Sequence, residues 1–148
     1  MSKFGYFTRS VEHNYEGLFR AGEELYNGDF VSLQADTDGN LCFKKVASDN
    51  TMGLRLAAKT TRWRNPAIVV DVVHEGTLGT YMVENEWEVY TQYGDYDTSN
   101  YSVPAGHLVK AKMPLKSEQM IIAVDETAYA SLDVGDSLKI VNGAIVAA

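Results

Sequence analysis

The chain has 148 residues, enough for one domain that buries a core without disulfides or metals. Its 45% hydrophobic and 22% charged content is that of an ordinary globular protein, and a single cysteine rules out an intramolecular disulfide or a cysteine-rich metal site. Thirteen basic against twenty acidic residues leave a formal charge of -7, which repels phosphate backbones and anionic lipid and argues against nucleic-acid and membrane partners.

Residues 1–24 spread Phe4, Tyr6, Phe7, Tyr15, Leu18 and Phe19 among Ser, Thr, Asn, Gly and charges, with no sustained period of two or 3.6. The segment carries no charged region followed by an apolar run, so no secretion signal is expected and synthesis is expected in the cytoplasm. Five aromatics are costly to leave in water, at roughly 25 cal/mol per Å² of apolar surface. They pack either on the chain's own body or on a neighbour. The expectation carried forward is an extended N-terminal arm over 1–24 that touches a neighbour, followed by a single domain over 25–148.

From residue 25 onward the pattern changes to short alternating strands between Gly turns. Leu25-Tyr26-Asn27-Gly28-Asp29 launches Phe30-Val31-Ser32-Leu33, and Leu132-Asp133-Val134-Gly135-Asp136 launches Ser137-Leu138-Lys139-Ile140 in the same way. Val103-Pro104-Ala105-Gly106-His107 is a weaker third copy. Gly supplies a positive φ, Asp or Asn closes the turn, and apolar residues at every second position mark one buried face. Strands are predicted at 29–34, 40–46, 52–58, 67–74, 79–84, 86–92, 107–113, 119–124, 136–141 and 144–147. Asp125 is positioned to cap one helical turn over 126–131. Ile68, Val69, Val70, Val72 and Val73 are apolar on both faces, which suits a central strand. The fold class is therefore all-β: a small barrel or sandwich with one short helix and an extended leading arm.

Chemical sites are tested by spacing. Asp36-Thr37-Asp38-Gly39-Asn40 and Asp95-Tyr96-Asp97-Thr98-Ser99 both alternate oxygen ligands, but the EF-hand positions six and twelve fall on Leu41 and Ala47, or on Asn100 and Gly106. The first reads as a hairpin turn and the second as a solvated tip. His13, His74 and His107 share no spacing that preorganises zinc. There is no Gly-x-Ser-x-Gly elbow, and Cys42 falls within a strand pattern. Glu84, Glu86 and Glu88 share one strand face, where charges ordinarily serve solubility. No catalytic residue, cofactor or metal ligand is predicted, and the chain is read as a non-enzyme.

The order of an irregular aromatic leader, Gly28-Asp29-x-Val31-x-Leu33, Asp38-Gly39-x-Leu41, Met52-Gly53-Leu54, and then Val134-Gly135-Asp136-x-Leu138 with Asn142-Gly143 resembles the head-decoration, or capsid cement, proteins of tailed bacteriophages. The resemblance covers most of 22–60 and 103–146. It implies an accessory virion protein that binds the outer surface of the assembled head and clamps neighbouring major capsid subunits, with self-association, as a trimer, implied by analogy. Phe4, Tyr6, Phe7, Tyr15 and Phe19 are then the expected partner contacts, with Trp63 a second patch. The terminal strand at 144–147 offers an edge for pairing with a neighbour. Two rival readings are another virion component, such as a tail or adaptor subunit, and a carbohydrate-binding module using Trp87, Tyr90, Tyr93, Tyr96 and Tyr101 as a stacking platform.

Overall fold

The computed structural model describes residues 4–11, 16–62, 64–85 and 102–148. In chain order they form β1 (Gly5–Arg9), β2 (Glu16–Arg20), β3 (Leu25–Tyr26), β4 (Phe30–Ala35), β5 (Leu41–Lys45), β6 (Ser48–Arg62), β7 (Asn65–His74), β8 (Tyr81–Val83), β9 (Ser102–Val103), β10 (Leu108–Lys112) and β11 (Gln119–Ala123). A short helix, α1 (Glu126–Ser131), leads into β12 (Ser137–Val141) and β13 (Ala144–Ala147). The all-β class with one short helix holds. The Asp125 side chain accepts from Ala128 N at 2.7 Å and caps α1 as its position predicts.

The repeated Leu-x-x-Gly-Asp turn has one geometry in both copies. Gly28 and Gly135 each sit at φ 96°. Asp29 N donates to Tyr26 O at 3.1 Å while Tyr26 N donates to Asp29 Oδ2 at 2.8 Å. Asp136 and Asp133 repeat both bonds, at 3.0 and 2.8 Å. In the third copy Gly106 keeps the positive φ and His107 N donates to Pro104 O, but no carboxylate closes the turn because His stands in place of Asp.

Two antiparallel sheets carry the molecule. One has six strands in the order β1-β11-β7-β6-β12-β13, the other five in the order β2-β10-β8-β4-β5, and β3 with β9 forms a small third sheet. Neither large sheet closes into a barrel. The long β6–β7 hairpin bends at bulges near Gly53/Leu54 and Leu56/Ala58, which curl the six-stranded sheet around its core. β7 is central, as its composition suggests, yet only one face is sealed: Ile68, Val70 and Val72 are buried while Val73 is 44% exposed.

The two cores share a wall. Phe30 and Met82 point into a core with Leu54, Leu56, Ile68, Val70, Met120 and Ile140 from the six-stranded sheet. Their sequence neighbours Val31 and Val83 point the other way, into a core with Leu25, Phe43, Val103, Val109 and Ala111. Successive strand residues face opposite sides, so β4 and β8 serve both cores.

The leading segment is extended backbone but not a free arm. β1 pairs with β11, Gly5 opposite Ile122 and Phe7 opposite Met120, and so forms the edge of the six-stranded sheet. β2 pairs with β10 along Leu108↔Arg20 to Lys112↔Glu16 and forms an edge of the other sheet. The expected division into an arm over 1–24 and a domain over 25–148 is therefore corrected, because the described leading residues belong to the body. Phe4 is 1% exposed. Gly5 packs so tightly on the Gly28 turn that a Cβ there would lie 2.1 Å from Gly28 Cα.

Two buried carboxylates hold strand ends and loops in place. Glu118, 1% exposed, accepts from Leu115 N and from Ser10 and Val11 at the end of β1. Burial pushes its carboxyl above the ordinary value, more than those donors and nearby Lys112 pull it down. Burial acts on Asp49 in the same sense. There, bonds from the Thr51 and Thr80 hydroxyls, both at 2.6 Å, and from the Thr51 and Met52 amides outweigh it, and the carboxyl lies below its ordinary value.

Two outcomes are expected. Deletion of residues 1–20 abolishes the cooperative urea transition, because it strips an edge from each sheet, and Phe4→Ala lowers stability by about 3–5 kcal/mol. A deletion that melts like the full chain would refute the integration of the leader. For Glu118, a raised folded pKa means the native state holds the proton more tightly than the unfolded chain. Its contribution is complete below the ordinary carboxyl value and is lost as pH rises through the raised one. A Tm scan from about pH 4 to about pH 8 should slope downward with pH less steeply in Glu118→Gln than in the unaltered chain. Parallel slopes would exclude this role.

Candidate docking surface

Of the aromatic residues expected to meet a partner, Phe4, Phe7 and Phe19 serve the chain's own packing. Phe4 is buried, and Phe7 packs against the first core. Phe19 packs edge-on against Phe43 in the second, with ring centroids 5.4 Å apart. Tyr6 is half-buried at the sheet edge, with the Arg62 guanidinium 4.8 Å from its ring centre. As partner contacts, Phe4, Phe7 and Phe19 are therefore corrected: Phe4 is buried just ahead of β1, Phe7 rests on the first core, and alternation along β2 turns Phe19 toward Phe43. Tyr15 and Trp63 lie outside the described residues, as do His13, the second Asp loop, and the five aromatics of the proposed stacking platform.

The remaining sequence candidates resolve into local structure. Asp36 Oδ1 accepts from Asp38 N and Asn40 N, both at 2.9 Å, so this carboxylate closes a hairpin turn. His74 is occupied in packing over Gly53, where a Cβ would meet its ring at 2.4 Å. His107 is exposed in the third Gly turn. Cys42 is buried against Gly22. Among the described residues no group of three His, Cys, Asp or Glu side chains converges to hold a metal.

An apolar hollow on the five-stranded sheet escaped the sequence reading. β2 runs Glu16-Gly17-Leu18-Phe19-Arg20, so inward Gly17 and Phe19 leave Leu18 facing out at 62% exposure. Diagonally across β10, Leu108 is 53% exposed. The two edges of this sheet meet at one parallel bridge, Ala21↔Phe43, reinforced by Gly22 N donating to Phe43 O at 2.8 Å. That bridge brings Leu41, 56% exposed at the start of β5, to the same place. The three leucines share a hollow of about 560 Å³ whose wall includes Arg20 and Asp36. Arg20 is held there by donating from Nη1 to Gly106 O at 2.7 Å. No periodic signal marks this face, because its members come from strands that meet only in the fold.

Farther along the same face of β2 and β10, Lys112 bridges Glu16 at 3.9 Å and Glu84 at 3.5 Å, and Lys110 reaches Glu16 at 3.6 Å. Glu84 also accepts from Phe7 N at 2.9 Å, which ties β1 of one sheet to β8 and β10 of the other. The leucine face is thus continued by a line of ion pairs toward the other sheet. No protein-family model matches the chain, and no curated protein or solved structure matches it.

Proposed function

We propose that this chain is a non-enzymatic virion structural protein, a capsid decoration protein that binds the outer surface of a phage head and clamps neighbouring major capsid subunits. The observation that carries the reading is the exposed leucine cluster of Leu18, Leu41 and Leu108 on a two-sheet body. The turn pattern shared with decoration proteins supports the choice of partner. Contiguous apolar surface of this kind marks a contact site, and a hollow rimmed by Arg20 and Asp36 offers polar registration around an apolar centre.

The clamp in this reading is a face rather than an arm. Each leucine yields about 1 kcal/mol when its exposed half is covered. A ligand that binds only the assembled shell stabilises it by mass action, and many copies repeat the effect. The chemistry required is surface complementarity, with no reacting group. The protein works on the virion exterior after synthesis in the host cytoplasm, and self-association remains part of the proposal by analogy with the decoration family.

The test uses expanded heads of the parent phage assembled without this chain. The unaltered protein should co-sediment with them, and Leu18→Glu/Leu108→Glu should bind at least about tenfold more weakly. Both sites are more than half exposed, so the stability of that double variant should stay within about 1 kcal/mol. Failure of the unaltered protein to bind heads would overturn the reading. Spontaneous rings or tubes in the absence of heads would assign it to a tail or adaptor instead.

A further inference from the structure

The sheet edges are finished differently, and the difference is informative. At β1, Ala123 N donates to Phe4 O, so Phe4 faces β11 and alternation turns Gly5 and Phe7 outward. This edge is guarded: Phe7 N is bound by Glu84, and the Gly28 turn packs against the face of Gly5 beside it. The edges of the five-stranded sheet cover one another at Ala21 and Phe43. β13 is different. Ala148 N donates to Ser137 O, so Ala144, Val146 and Ala148 face β12, and Ile145 and Ala147 turn their N–H and C=O outward. Among the described residues no group meets them. The strand Ala144-Ile145-Val146-Ala147 has no charge, no proline and no bulge, which are the usual guards of a bare edge.

Beside this edge lies a hollow of about 310 Å³. Phe4, Ile122, Val124 and Ala128 line its far side, and Ile145 lines the near side. The six-stranded sheet therefore curls toward closure and stops short, leaving an apolar seam next to a hydrogen-bonding edge. The hollow is about twice the volume of a cavity that holds a benzene ring, which gives room for two apolar side chains. Its charged wall residues are Asp29 and Asp125, with no Lys or Arg among the residues that line it.

We infer that the β13 edge and its seam form a second binding site, which takes an extended segment of another polypeptide as an added strand. Successive inward residues of that segment are apolar and fill the hollow, its backbone pairs with Ile145 and Ala147, and its flanks are basic to complement Asp29 and Asp125. This site lies apart from the leucine face and stands whether or not the chain decorates a head.

Amide exchange of the full chain, followed by NMR, tests the inference with the capped peptide Lys-Val-Ser-Val-Ser-Lys as probe. Saturating peptide should slow exchange at Ile145 and Ala147 by at least about tenfold. A scrambled peptide with adjacent valines, and one with Glu in place of Lys, should protect these amides less. Ala147→Pro removes one outward N–H without touching a bond to β12, and should abolish protection at Ile145 with little change in Tm. Ala128→Phe, which fills the hollow, provides a second variant and should weaken binding independently. Three results would overturn the proposal. One is protection of both amides before any peptide is added, and another is protection that grows with protein concentration alone, which would assign the edge to a second copy. The third is peptide binding that survives both variants.

Discussion

Phe30 is the residue on which the architecture turns. Its N–H donates to Gly143 O at 3.0 Å and its carbonyl accepts from Val46 N at 3.0 Å, which pins the start of β4 to the β12–β13 turn and to the β5–β6 connection. Its ring is fully buried in one core, while Val31 beside it is fully buried in the other. Met82 and Val83 repeat that division on β8, which pairs with β4 through Phe30↔Met82 and Val31↔Tyr81. Two sheets can share a thin wall only if that wall is apolar on both faces, and these four residues provide it.

Once the wall is shared, each large sheet has to end somewhere, and those endings produce the molecule's surfaces. The five-stranded sheet curls until β2 meets β5, and this gathers Leu18, Leu41 and Leu108 on its outside. The six-stranded sheet curls less completely. One side is closed by β1, with Glu84 occupying its outward N–H, and the other stops at β13. Both proposed contact sites are thus consequences of curvature, one where an edge closes and one where it does not. Neither needs ionisable groups to converge, and the buried carboxylates Glu118 and Asp49 hold loops and strand ends in place.

Local features were legible where the physics is local. The Gly28-Asp29 and Gly135-Asp136 turns could be read because a positive φ demands Gly and the carboxylate closes its bond three residues back. The α1 cap was legible for the same reason, as were β4, β5, β10, β11, β12 and β13 to within one or two residues. β1 and β2 were not legible. Their partners are about 90 to 120 positions away, as in Gly5↔Ile122 and Phe19↔Val109, and no short window contains that information. Aromatics without a period were read as a sticky arm, whereas Phe4, Phe7 and Phe19 pack on the chain's own body.

The amino-acid sequence by itself determined the all-β class, the positions of the turns and the absence of a spaced metal or nucleophile motif, because each depends on neighbours within a few residues. Tertiary structure alone decided that Phe4, Phe7 and Phe19 serve the interior, that Leu18, Leu41 and Leu108 come together, and that β13 is left unguarded while β1 is capped. Alternation specifies that a strand has two faces, but which face meets solvent depends on which distant strand lies beside it. That choice is made by the burial of whole sheets, and it is why the contact surfaces emerge only in the folded molecule.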